Sequence, residues 1–317
     1  MTAPVAQLEI VLASPRGFCA GVDRAITIVE RALELYGAPI YVRHEIVHNP
    51  HVVQRLADEG AIFVEELDFV PEDAHVIFSA HGVSPTVVAH AKKRSLDILD
   101  ATCPLVTKVH REAQRYSKKG YTIILIGHKN HVEVVGTVGE APEHILVVGN
   151  EEEARSLKIP GNPENIAYLT QTTLSLDDTA QIIRILRERF PHIEGPSRED
   201  ICYATQNRQN AIKALAEEVD SILVVGAQNS SNTLRLVEVA QSTGVVARRI
   251  ESEAELCQQD IHEVQKIGIT AGASAPEDIV QGIIKKLQKL SKSSIVRKLR
   301  ITEEDITFAL PSRLRTE

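Results

Sequence analysis

The sequence predicts an α/β protein of three pseudo-equivalent units, each a small, mostly parallel four-stranded sheet with covering helices. Strand-like apolar runs alternate with amphipathic helix-like runs almost throughout. Aromatic residues are only 4% of the chain while Val, Ile, Leu and Ala abound, which suits buried parallel sheets better than an aromatic stacking surface for nucleic acid. Landmark cysteines also recur at matching places in successive thirds.

The first unit, 8–96, carries strand-like runs 8-LEIVLAS-14, 39-PIYVRHEIV-47, 61-AIFVEE-66 and 75-HVIFSA-80. The helix-like stretch 22-VDRAITIVERALELYG-37 ends in Gly, a common helix stop. The second unit, 97–196, draws its strands from 96-LDILDAT-102, 121-YTIILIGH-128, 144-HILVVGN-150 and 166-IAYLTQ-171, with 104-PLVTKVHREAQRYSKKG-120 as a helix. The third, 197–290, has 221-SILVVGAQ-228, 245-VVARRI-250 and 266-KIGITAG-272, and a poorer first run near 193-IEGPSREDI-201. Residues 291–317 form a tail, and the basic cluster 285-KKLQKLSKSSIVRKLR-300 reads as a solvated helix and tail.

Composition narrows the function. With 317 residues, 43% hydrophobic and 25% charged, the chain is long enough for a large core. Its net charge of −8 does not attract nucleic acid or an anionic membrane. No segment reaches the apolar length of a bilayer span, and the N-terminal MTAPVAQLEIVLASPRG lacks the basic and apolar regions of a secretory signal. Four cysteines without a CxxC pair argue against a disulfide framework, so a reducing cytoplasm is expected.

Spacing then singles out a site. Cys19, Cys103 and Cys202 each follow the first run of a unit and open a helix. His48 stands 29 positions after Cys19, His131 28 after Cys103, and Ser230 28 after Cys202. Each lies in a polar loop after the second strand: 48-HNPH-51, 128-HKNHVE-133 and 228-QNSSNT-233. A third set follows the fourth strand: 79-SAHGVSP-85, 170-TQTTLSLDD-178 and 271-AGASAPED-278. Parallel α/β sheets present ligands at the carboxyl ends of their strands. If three units meet around a pseudo-threefold axis with these edges inward, the three thiolates can converge on one point.

A helix N-terminus favours the thiolate, and Pro104 is a natural first helical residue after Cys103. Three soft thiolates suit an iron–sulfur cluster or zinc, and spacing does not choose between them. Cys257, in 252-SEAELCQQDIHEV-264, has no counterpart in the other units and stays outside the site. His48, His81, His131, Ser230, Ser231, Asn232 and Ser274 occupy equivalent loops. Singly, Ser230 or Ser274 reads as a helix cap; together the groups form a cage for a diphosphate. Glu133, two residues beyond His131, is placed to donate a proton directly or through Thr172 and water.

PRGFCAGVDRAI, DATCPLVTKVH, SAHGVSP, HVEVVGT, TQTTLS, ICYAT, NSSN and TAGASAP, in that order, resemble the IspH/LytB family of 4-hydroxy-3-methylbut-2-enyl diphosphate reductases over residues 9–280. Val132 stands where many members have Pro and Gln206 where Thr is common; neither departure removes a ligand or the acid. The resemblance implies a trefoil-like arrangement of the units around a central cavity and one [4Fe–4S] cluster per chain, held by Cys19, Cys103 and Cys202. It implies substrate binding by His48, His81, His131, Thr172, Ser230, Ser231, Asn232 and Ser274, with Glu133 as the acid. It further implies reductive removal of an allylic hydroxyl to give isopentenyl and dimethylallyl diphosphates, the last step of the non-mevalonate pathway. No GxGxxG follows a strand, so electrons are expected from a separate ferredoxin or flavodoxin. The competing expectations are a non-redox iron–sulfur hydro-lyase, a cluster-based sensor and a zinc-stabilised phosphate binder.

Overall fold

The computed structural model describes residues 7–160 and 164–315. The first six residues of the N-terminal stretch read for a leader signal and the last two residues of the expected tail lie outside them.

In chain order the elements begin β1 (Leu8–Ser14), α1 (Ala20–Tyr36), β2 (Ile40–Arg43), α2 (Pro50–Asp58), β3 (Ala61–Val64), β4 (His75–Phe78), α3 (Pro85–Lys93) and β5 (Asp97–Asp100). Next come α4 (Pro104–Lys118), β6 (Thr122–Ile126), α5 (Val132–Glu140), β7 (Ile145–Val148), α6 (Glu151–Ser156), β8 (Ile166–Thr170) and α7 (Leu176–Arg189). The chain continues through α8 (Tyr203–Ala216), β9 (Ser221–Val225), α9 (Ser231–Ser242), β10 (Val246–Ile250), β11 (Lys266–Ala271), α10 (Glu277–Leu290) and β12 (Ser294–Arg300). They divide into two compact units. The first comprises residues up to Cys19, His48–Pro50 and Tyr203–Ile306; the second comprises Ala20–Val47, His51–Cys202 and the chain from Thr307.

The first unit holds one parallel sheet in the order β10-β9-β11-β1-β12. Alternation along β1 sorts its residues between two apolar layers. Ile10 and Leu12 pack with Ile279, Val280 and Ile283 of α10, whereas Val11 and Ala13 pack with Ile212 and Leu215 of α8 and Leu236 of α9. A strand buried on both faces needs this unbroken apolar run.

The second unit holds two parallel sheets, β3-β2-β4-β5 and β7-β6-β8. Along β6, Ile124 and Ile126 face Ile182, Ile185 and Leu186 of α7, while Ile123 and Leu125 face Val109, Ala113 and Tyr116 of α4.

The α/β class and the parallel strands match the sequence reading, but strand membership crosses the expected boundaries. The sheets have five, four and three strands rather than four each. β1, expected to open the first unit, lies between β11 and β12; β5, assigned mainly to the second, pairs with β4. The run near 193–201 is not a strand, contributing only a single bridge from Glu194 to Ala167. Gly195 and Pro196 interrupt it, and four polar residues follow.

The tail also corrects its reading, because β12 pairs with β1 over seven positions, Leu8↔Ser294 to Ser14↔Arg300. Its Arg and Lys residues fit a sheet edge, where charge discourages further pairing and hides the strand in a charged run. Among the described residues, no helix is long and apolar enough to cross a membrane.

Candidate active site

Each unit gathers its own share of the singled-out residues. In the first unit the gathering point is the start of α9. Ser230 is its N-cap and accepts the Thr233 N–H at 3.3 Å. The neighbouring β11–α10 loop is tied to that turn: Asn232 Oδ1 accepts the Ala273 N–H at 2.9 Å. Ser274 donates its hydroxyl to the His48 carbonyl at 2.9 Å and lies 3.4 Å from Ser230 Oγ. Cys19 joins the cluster through its N–H, which donates to Ala273 O at 3.4 Å. Cys19, His48, Ser230, Asn232 and Ser274 are thus linked directly or through Ala273, with Ser231 in the first turn of α9. Neutral amide and hydroxyl groups at a helix N-terminus suit an anion.

In the second unit a chain of contacts joins the remaining residues. Cys103 is the N-cap of α4, and its N–H donates to Ala80 O at 3.0 Å, beside His81. The His81 ring meets the His131 ring edge-on, with centroids 6.1 Å apart, and Ser79 Oγ lies 3.2 Å from His81 Nδ1. His131 caps α5 by accepting the Glu133 N–H on Nδ1 at 3.2 Å. That leaves Nε2 as the protonated nitrogen of the neutral ring. The buried Glu133 carboxylate accepts the Thr172 N–H at 2.7 Å on one oxygen, with Thr172 Oγ1 3.0 Å from the other. Thr172 O in turn accepts the Cys202 N–H at 3.1 Å.

The turn carrying His81 needs glycine next. Gly82 has φ +79°, and a Cβ there would stand 2.9 Å from His110 Cε1. His110 is buried and pairs with Glu140 Oε1 at 3.0 Å.

Burial raises the Glu133 pKa, and the two hydrogen bonds from Thr172 offset only part of the rise. A carboxyl in this state holds its proton to higher pH than an ordinary glutamate. Asp200, behind the Thr172–Cys202 contact, is pushed up to about 6 by burial despite Lys108 Nζ at 2.6 Å, and it accepts the Thr170 N–H at 2.9 Å.

Sequence reasoning passed over Asp200 and Lys108. It also passed over Thr205, whose Oγ1 is 3.4 Å from Asn232 Nδ2. The only sequence signal for Thr205 was its place in 201-ICYAT-205.

Cys19, Cys103 and Cys202 are half-buried and form no disulfide, whereas Cys257 is exposed and caps a short turn at Gln258–Ile261. Among the described residues, no group of three or more His, Cys, Asp or Glu side chains is arranged to hold a metal ion. The donor chemistry nevertheless suits a soft metal centre: Cys103 caps α4, while Cys19 and Cys202 directly precede α1 and α8.

Residues 10–288 match the sequence profile of the family described as LytB protein. The 4-hydroxy-3-methylbut-2-enyl diphosphate reductase of Acidithiobacillus ferrooxidans is 56% identical over 97% of this chain and 97% of its own. That of Leifsonia xyli is 52% identical over 98% and 92%. Among solved structures, the E-1-hydroxy-2-methyl-but-2-enyl-4-diphosphate reductase of Plasmodium falciparum superposes with a TM-score of 0.92 at 42% identity, covering 97% of this chain and 96% of that one. A second, described as the terminal enzyme of the non-mevalonate pathway, has a TM-score of 0.64 at 30% identity, covering 89% and 100%.

Fold and comparisons together define an α/β reductase. Within that class the chain belongs to the LytB family.

Proposed function

We propose that this protein reduces (E)-4-hydroxy-3-methylbut-2-enyl diphosphate to isopentenyl and dimethylallyl diphosphates. The overall step consumes two electrons and two protons, breaks the allylic C–O bond and releases water. The observation that carries the reading is the buried Glu133 carboxyl, held against Thr172, which is itself bonded to the Cys202 backbone.

Cys19, Cys103 and Cys202 would hold a [4Fe–4S] cluster, a role supported by their thiol chemistry and helix-start positions. When bound, such a cluster supplies single electrons and an iron without a protein ligand that acts as a Lewis acid. Ser230, Ser231, Asn232, Ser274 and His48 bind the diphosphate at the start of α9, with His81 and His131 completing the polar set. His131 orients Nε2–H as a donor because Nδ1 is engaged by Glu133 N–H.

Protonated Glu133 delivers the proton that makes the departing hydroxyl water. The 3.0 Å contact between Glu133 Oε2 and Thr172 Oγ1 lets either atom donate. Proton transfer through the threonine therefore needs only a reversal of the hydroxyl. The second proton goes to either end of the allylic system, giving the two products. A ferredoxin or flavodoxin in the cytoplasm supplies the electrons.

The test is anaerobic iron and sulfide analysis, followed by turnover with and without a low-potential reductant. Expected are iron and sulfide in equal amounts, turnover only with reductant, and unchanged cluster content in Cys257→Ser. Turnover without reductant would turn the reading into a hydro-lyase; zinc in place of iron would reject it.

A further inference from the structure

A fully buried guanidinium that the mechanism does not use lies behind the Cys19 loop. Arg208, on α8, has no solvent exposure and uses all its nitrogens. Nε and Nη2 donate to Gly17 O at 3.1 and 2.7 Å, and Nη2 also donates to Phe18 O at 3.1 Å. Nη1 donates to Ala204 O at 2.9 Å and to Glu304 Oε1 at 3.0 Å. Asn207 Nδ2 holds the same Glu304 oxygen at 3.0 Å.

Topology explains the meeting. β1 and β12 run parallel and in register to Ser14↔Arg300, and Ile301 N–H adds a bond to Ser14 O at 2.9 Å. The loop leaving β1 and the segment leaving β12 therefore emerge at the same end of the sheet. The first carries Gly17, Phe18 and Cys19; the second carries Glu304.

Earlier in the loop, Arg16 donates to Ala13 O at 3.0 Å and to Glu277 Oε1 at 2.6 Å, but these bonds do not reach the Gly17 and Phe18 carbonyls. Gly17 takes a left-handed φ of +68°, and a Cβ there would stand 3.2 Å from Ala275 O. Its N–H reaches Ala271 O at 3.2 Å, and the Cys19 N–H reaches Ala273 O at only 3.4 Å. The two carbonyls preceding Cys19 depend on Arg208, and a buried cation is retained only when paired. Glu304 supplies that pairing from outside the sheet.

We propose that Arg208 and Glu304 form a clamp that fixes the Cys19 backbone in its ligating pose, so that the segment following β12 controls how firmly the metal centre is retained. Both are positioning residues, and the proposal rests on Cys19 being a cluster ligand.

Glu304→Ala and Glu304→Gln separate this role from general stability. In cluster-free protein, the alkylation rate of each cysteine by iodoacetamide is followed by peptide mass spectrometry, alongside the circular dichroism spectrum. Cys19 is expected to react about tenfold faster than in the parent, the scale of one charge-assisted hydrogen bond. Cys103 and Cys202 should stay within about twofold, the spread expected of sites that do not couple. In the reconstituted protein, the visible absorbance should bleach correspondingly faster under a chelator.

Unchanged Cys19 reactivity, or equal acceleration of all three thiols, overturns the clamp. Should Glu304→Ala not fold, Glu304→Gln carries the test, since it keeps the shape and removes the charge. A parent protein that takes up no cluster would instead overturn the ligand assignment, and Cys19 alkylation would still report on the clamp.

Discussion

The candidate residues gathered in the first unit and those gathered in the second differ in their chemistry. At the start of α9, Ser230, Asn232 and Ser274 bind one another and the adjoining backbone, and Ser230, Asn232 and Ser274 do not titrate near neutral pH. Around α5, His81, His131 and Glu133 can all change protonation, and Glu133 is buried so that it holds its proton longer. The first set suits an anion whose charge stays fixed; the second suits the movement of a proton. The helix geometry is shared, so side-chain chemistry makes the division.

Glu133→Gln should break this comparison most strongly. Glutamine can still accept from Thr172 N–H and donate to its hydroxyl, so the fold and diphosphate affinity should survive. Turnover should fall by about a thousandfold, within the usual range for removing a general acid. Single-turnover kinetics beside direct substrate titration check this, and parent-like turnover would remove Glu133 from the chemistry.

Asn232→Ala should act on the other set. Freeing the Ala273 N–H and loosening the β11–α10 loop should weaken substrate affinity by about thirtyfold, roughly 2 kcal/mol, while kcat changes little. A fall in kcat with unchanged affinity would place Asn232 with the proton-handling groups instead.

The smallest effect is a displacement in pH. The acid works in its protonated form, so kcat falls as pH rises through the pKa of Glu133. The Thr172 hydroxyl lowers that pKa by donating to the carboxylate. Thr172→Val should therefore move the alkaline limb of the surviving activity upward, as measured by the pH profile of kcat. Movement downward would show that the hydroxyl instead favours the protonated carboxyl.

Local patterns made much of this legible in the sequence. β1 was readable over Leu8–Ser14 because a doubly buried parallel strand is an unbroken apolar run. His131 and Ser230 were readable because each stands 28 positions after a landmark cysteine in a polar loop, and Glu133 because it follows His131 by two. The partnership of β1 with β11 and β12 was not, since strand order across more than 250 residues leaves no local period. Arg208 was equally hidden: one arginine in 206-QNRQNAIK-213 looks like helix surface until Glu304 and two loop carbonyls surround it. Asp200 sat inside a polar run that resembles a loop and carries no sign of its burial.

The seating of β1 between β11 and β12 also orders events during synthesis. The strand is translated before both of its neighbours, with more than 250 residues lying between β1 and β11. The sheet of the first unit closes only after β11 and β12 have been made, while β2 through β8 can pair among themselves earlier. Until then both apolar faces of β1 lack its sheet neighbours, and the Cys19 loop that follows it lacks the Glu304 carboxylate that pairs with Arg208.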